Sequence, residues 1–125
     1  MITEINANPS SWKKECWIAS KLDVILDDEG NEITIYEKPE PYKFNYQPIS
    51  SEAEIAEFVE KASIMQKAVI PISYKYKFKE FDVAYLDDSN PNGEVKNGDK
   101  ANYVLLPPRN GNSVIIIYFE KLAGK

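Results

Sequence analysis

The chain has 125 residues, 43% of them hydrophobic and 28% charged, with fifteen basic against twenty acidic side chains and a net charge of −5. That length holds one domain with a modest core, and the acidic balance argues against a general nucleic-acid binder, which carries a basic excess. With no histidine and a single cysteine, the chain lacks the commonest general base and zinc ligand, and Cys16 has no partner for an internal disulfide.

The first residues, MITEINANPSSW, have neither a basic segment nor an apolar core of the kind a signal peptide needs. The longest apolar run, VIIIYF at 114–119, is too short to span a bilayer. The expectation is a soluble protein kept inside a cell, or inside something assembled there, without a membrane partner. NPSSW supplies turn and cap residues, which places a short helical turn over residues 10–16. Cys16 lies in KKECWIA, where neighbouring lysines would lower its thiol pKa and burial at a strand start would leave it inert.

A strand over 17–26 follows, then a hairpin turn over 27–32 with Gly30 and Asn31 able to take positive φ, then a strand over 33–38. Pro39 and Pro41 predict a break. Over 42–47, Tyr42, Phe44 and Tyr46 alternate with Lys43 and Asn45. A single helix is predicted over about 52–67. Ser51 and Glu54 form its capping box, and Ile55, Phe58, Val59, Ala62 and Met65 form its apolar stripe. Glu57, Glu60, Lys61 and Lys67 lie off that stripe. Ile64 is an apolar residue on the polar side, either a tolerated surface residue or a subunit contact.

The strongest strand signal runs over 68–86. Ile72, Tyr74, Tyr76 and Phe78 alternate with Ser73, Lys75, Lys77 and Lys79 up to a turn or bulge at Lys79-Glu80. A polar loop at 87–100, a strand at 101–106, a turn at 107–112 and a last strand at 113–122 complete the chain. Strands with one helix between them predict a mainly β fold, a small antiparallel barrel closed to hide its edges.

Three constellations touch on chemistry. Asp88, Asn90, Asn92, Gly93 and Asp99 follow much of a calcium-loop spacing, although Asp99 replaces the bidentate glutamate and Pro91 interrupts the loop. The alternating aromatics and lysines of 73–79 would suit single-stranded nucleic acid if both sets reached one surface. Acid pairs such as Asp27-Asp28 and Asp87-Asp88 fall in turns, where the fixed separation of a carboxylate pair is not expected. With no phosphate loop, CxxC, HExxH or GxSxG motif, the expectation is a protein that is not an enzyme and carries no cofactor.

The order of elements resembles a known family. A strand hairpin leads into YQPIS, an acid-rich helix SEAEIAEFVEKASIMQ and a strand KAVIPISYKY. This layout is similar to that of the head-closure (stopper) proteins of siphovirus-type tailed phages, and the residues that carry it are Gln47, Pro48, Ile49 and Ser50. The later segment from FDVAYLDDSNP to YFEKL also looks like the C-terminal part of small phage proteins encoded among head–tail genes. The resemblance implies a structural virion protein of the phage neck, a hexameric ring between the head adaptor and portal on one side and the tail on the other. It also implies packaged DNA in the channel, held without sequence specificity, and the host cytoplasm as the location before assembly. Pro48 would fix the start of the excursion and Ser50 or Ser51 would begin its helix. Its polar side, with Glu57, Glu60, Lys61, Ile64 and Lys67, would meet the channel or a neighbouring subunit. A tail terminator or another neck protein is the nearest alternative, and a barrel that binds single-stranded nucleic acid is the alternative of another class.

Overall fold

A computed structural model describes residues 14–124. The fold is mainly β, a nearly closed antiparallel barrel with one helix between strands. Among the described residues there are ten strands: β1 (Lys14–Ala19), β2 (Lys21–Leu26), β3 (Glu32–Tyr36), β4 (Glu40–Phe44), β5 (Tyr46–Pro48), β6 (Met65–Pro71), β7 (Val83–Tyr85), β8 (Tyr103–Leu105), β9 (Arg109–Asn110) and β10 (Val114–Lys121). Helix α1 covers Glu52–Phe58. The sheet runs β4-β1-β7-β8-β10-β6-β5, with β9 paired to β10 and the β2–β3 hairpin standing apart.

Closure comes from the chain itself. β4 ends the sheet beside β1, β5 ends it beside β6, and only Asn45 separates the two strands in sequence. One extended segment thus changes partner at Asn45 and joins the two sheet ends, which leaves few unpaired edges.

Alternation sorts the side chains. Cys16, Ile18, Phe44, Ala68, Ile70, Ala84, Leu105, Ile115, Ile117 and Phe119 point inward and form the main core. The opposite parity builds two further apolar patches on the outside of the barrel. Ala19, Val83, Tyr85 and Ala101 pack with Trp17 and Tyr36. Ile49, Met65 and Tyr118 pack with Phe58, Ala62, Leu106 and Ile116. The long loop braces the first patch, because the Tyr85 hydroxyl donates to the Glu94 carboxylate and accepts from the Gly98 amide at 2.8 Å. The helical excursion between β5 and β6 covers the second.

Several expected elements differ. Lys14–Cys16 belong to β1, and the rest of the turn expected over 10–16 lies outside the described residues. The strand expected over 17–26 breaks at Ser20, where Asp82 takes over: its buried carboxylate accepts from the Lys21 amide at 2.9 Å and from the Lys79 amide at 2.9 Å. Pro41 does not break a strand; it pairs with Trp17 inside β4, whose other edge needs no donor there.

The helix expected over 52–67 is shorter. α1 stops at Phe58, a 3-10 helix covers Val59–Ile64, and Met65 begins β6. Seven register pairs between β6 and β10, from Glu120–Met65 to Val114–Pro71, satisfy backbone groups that a longer helix would forfeit. The apolar stripe divides accordingly: Phe58, Ala62 and Met65 pack on the wall, while Ile55 and Val59 stay exposed.

The strand expected over 68–86 also breaks. β6 ends at Pro71, a 3-10 turn covers Ile72–Tyr74, and Tyr76 and Phe81 adopt φ of 70° and 74°. Tyr74 and Phe78 turn inward onto Tyr42 and Phe44, with ring centroids 5.2 to 6.1 Å apart. Tyr76 is exposed. The aromatic residues of 72–78 therefore do not share one face, and Lys75, Lys77 and Lys79 are exposed on a turn rather than along a strand.

Candidate functional site

The site grows from one cross-strand row. Gln47 of β5 is the register partner of Lys67 of β6, and Lys67 is the partner of Tyr118 of β10. Paired residues project from the same face of a sheet, so these three side chains stand side by side on the outer wall. Above them lies α1. Ser51 caps it, accepting from the Glu54 amide at 3.1 Å while its hydroxyl donates to the Glu54 carboxylate at 2.9 Å. The capping box aims Glu54 down at the row.

Glu54 there receives the Lys67 ammonium at 2.8 Å and the Tyr118 hydroxyl. Burial opposes its ionisation, but the hydrogen bonds from Lys67, Tyr118 and Ser51 and the Lys67 charge outweigh that and hold its pKa at about 2. Burial and the Glu54 carboxylate push Tyr118 up to about 12, which keeps its proton on and its hydroxyl donating. A carboxylate engaged by three donors, with so low a pKa, is a staple between helix and wall rather than a proton carrier near neutrality.

A second staple lies one turn along. Arg109 of β9 pairs with the Glu57 carboxylate, and its guanidinium sits 4.9 Å from the Tyr118 ring centre and 5.7 Å from that of Phe58. Phe58 and Tyr118 themselves meet at 4.9 Å between centroids. Beside Glu54 opens a groove of about 310 Å³, lined by residues that include Gln47, Pro48, Ser50, Ser51 and Lys67.

Five of the nine residues singled out in the sequence thus come together: Gln47, Pro48, Ser50, Ser51 and Lys67. The other four do not join them. Glu57 faces Arg109, Lys61 pairs with Glu120 at 3.3 Å, and Glu60 and Ile64 are exposed on the 3-10 segment. Lys67 is a strand residue, not part of a helix face. Tyr118 and Arg109 were missed, since their bonds to Glu54 and Glu57 span 64 and 52 residues of chain and no local pattern announces them.

The remaining candidates resolve differently. Cys16 is fully buried, and burial pushes its thiol up to about 12 against the lowering effect of the Phe44 backbone; the neighbouring lysines do not activate it. In the loop with calcium-like spacing, Glu94 is engaged by Tyr85 and by the Lys100 amide, and the Lys100 ammonium bonds the Asn92 carbonyl. Among the described residues no three His, Cys, Asp or Glu side chains come together as a metal site, and no helix is long and apolar enough to cross a membrane.

Compared with protein-family models, with curated proteins and with solved structures, the chain finds no match.

Proposed function

We propose that the chain is a structural subunit of a phage neck, one copy of a ring that closes the DNA-filled head and joins it to the tail. The observation that carries this reading is the placement of Gln47-Pro48-Ile49-Ser50. These residues lead directly from a barrel strand into a capped helical excursion, which returns into the neighbouring strand of the same sheet. That is the layout the resemblance implies. The excursion is stapled to the wall by Glu54 and Arg109, so it acts as a fixed surface of the subunit.

Its outward side carries Glu52 and Glu60, both exposed, beside the exposed Lys61, while Glu57 faces Arg109. Carboxylates along a channel repel the phosphate backbone, so DNA passes without being held by sequence. On this reading the partners are further copies of the chain in a hexamer, the adaptor and portal complex above, and the tail terminator below. The protein resides in the virion neck after assembly.

The test is direct. Purified protein is incubated with DNA-filled heads that carry portal and adaptor but no tail, and the vertices are imaged. A new ring of density below the adaptor, with less DNA leakage, is the expected result. Capture by isolated tail tubes alone transfers the role to a tail terminator, and binding to neither overturns the neck reading.

A further inference from the structure

Among the described residues, strand β2 of the β2–β3 hairpin is left uncovered, while β3 is mostly half-buried. All six residues of β2 are exposed, Leu22 by 62% and Leu26 by 67%, and Val24 and Ile25 lie between them. The hairpin is tied down at its base, where Asp82 accepts from the Lys21 amide, Ser20 from the Glu37 amide and Tyr36 from the Asn97 side chain. From there five register pairs run out to a turn closed by the Gly30 amide on the Asp27 carbonyl. A two-stranded ribbon with apolar side chains and two unpaired edges is marginal in water and calls for a cover.

Charge says what kind of cover. From Leu22 to Tyr36 the hairpin holds five acids and no base. Among the described residues, two charged segments also expose apolar groups. On the helical excursion, Ile55, Val59 and Ile64 stand among Glu52 and Glu60, with Glu57 paired to Arg109 and Lys61 to Glu120, a surface that offers the acidic hairpin no free base. On the turn over 75–81, Tyr76 is 78% exposed and Phe81 54%, and they stand among Lys75, Lys77 and Lys79, with Glu80 the one acid of the segment and Lys77 3.6 Å from Glu40. That turn is both apolar and basic, complementary to the hairpin on both counts.

The tip cannot reach the turn of its own chain. Phe81 lies under Lys21 at the base, with the ammonium 5.2 Å from the ring centre. The acidic tip is a strand length away, roughly 15 Å. We infer that the hairpin of one copy lies on the 75–81 turn of a second copy. Donor and acceptor are different surfaces, so the contact is made either reciprocally in a two-fold dimer or head-to-tail into a ring or filament, and the ring reading selects the head-to-tail arrangement. It deepens the ring reading above and rests on it only for that arrangement.

The experiment uses the full chain, whose buried Cys16 leaves a low background for thiol chemistry. Glu29→Cys and Lys77→Cys variants are mixed and oxidised, and sedimentation velocity is run at low and high salt. A mixed disulfide between the two variants is expected, with self-association weakened about tenfold or more by salt, as for exposed charges. Reversal of Asp28, Glu29 and Glu32 to Lys should abolish association, and mixing with a Lys75→Glu, Lys77→Glu variant should restore it. Unchanged melting temperatures check that the barrel still folds. A monomer at every concentration with no mixed disulfide overturns the proposal. So does a disulfide between two Glu29→Cys chains alone, which means hairpin-to-hairpin pairing. Binding of a single-stranded oligonucleotide to the lysine turn without a mixed disulfide gives that turn to nucleic acid and overturns it too. The head-binding assay fails separately: a ring on heads that survives charge reversal sinks the hairpin contact alone, and mixed disulfides without head binding sink the neck reading alone.

Discussion

Replacing Glu54 by Gln tests the staple that fixes the excursion. The side chain is 12% exposed and its Lys67 partner 29%, so the pair is held largely out of water. Moving a carboxyl from its ordinary 4.5 to about 2 on folding corresponds to about 3 kcal/mol at neutral pH. Partial exposure of Lys67 reduces the expected loss in the variant to about 2 kcal/mol. The sign follows from the direction of the shift. The folded pKa lies below the unfolded one, so the stabilisation is fully present above 4.5 and disappears as pH falls from 4.5 through about 2. Urea unfolding of both proteins at pH 7 and pH 3 measures this. The gap between them should shrink by about half at pH 3, and a Lys67→Met background should remove much of it at pH 7. A gap under about 0.5 kcal/mol at pH 7, or an equal gap at both pH values, would refute the staple, since only an ionised, bonded carboxylate predicts that pattern.

Three further outcomes are expected. In Gly98→Ala the new methyl would stand 2.6 Å from Tyr36 Cδ2 on a backbone at φ +93°, so the melting temperature should fall by an amount equivalent to about 2–4 kcal/mol. Val59 ends α1 at φ 45° and ψ −104°, a conformation open to glycine. Val59→Gly should therefore raise stability by about 1 kcal/mol in denaturant titration, relief of strain exceeding the added chain entropy. Cys16, fully buried and with its thiol pushed up to about 12, should resist an aromatic disulfide reagent in the native protein and react once denaturant unfolds it.

Short-range chemistry was legible in the sequence. The DDEGNE turn formed where expected because Asp27 caps it through the Glu29 and Asn31 amides and Gly30 takes φ 84°. The Ser51–Glu54 capping box formed for the same reason, as did the last strand. Misreadings came where two periodicities overlap. Met65 continues the helical stripe of Phe58 and Ala62, yet it also opens the alternation Met65, Lys67, Val69, and long-range pairing to β10 decides for the strand. Tyr74 and Phe78 alternate like strand residues, but Pro71 ends the strand and the positive φ at Tyr76 folds the segment inward. Half of the candidate site was visible because Gln47 to Ser51 are contiguous. Its other half, Tyr118 and Arg109, arrives only through register between distant strands.

The position of β10 has a consequence for how the chain is made. In the sheet order, β4-β1-β7-β8 lie on one side of β10 and β6-β5 on the other, yet β10 (Val114–Lys121) follows every one of them along the chain. Until it pairs, the two half-sheets have no common strand and their apolar faces stay open. Closure of the barrel thus waits on β10, slow in the manner of non-local β pairings and open to association in the interval. A chain cut just before Val114 would lose no part of the excursion or the hairpin, and would still not become a barrel.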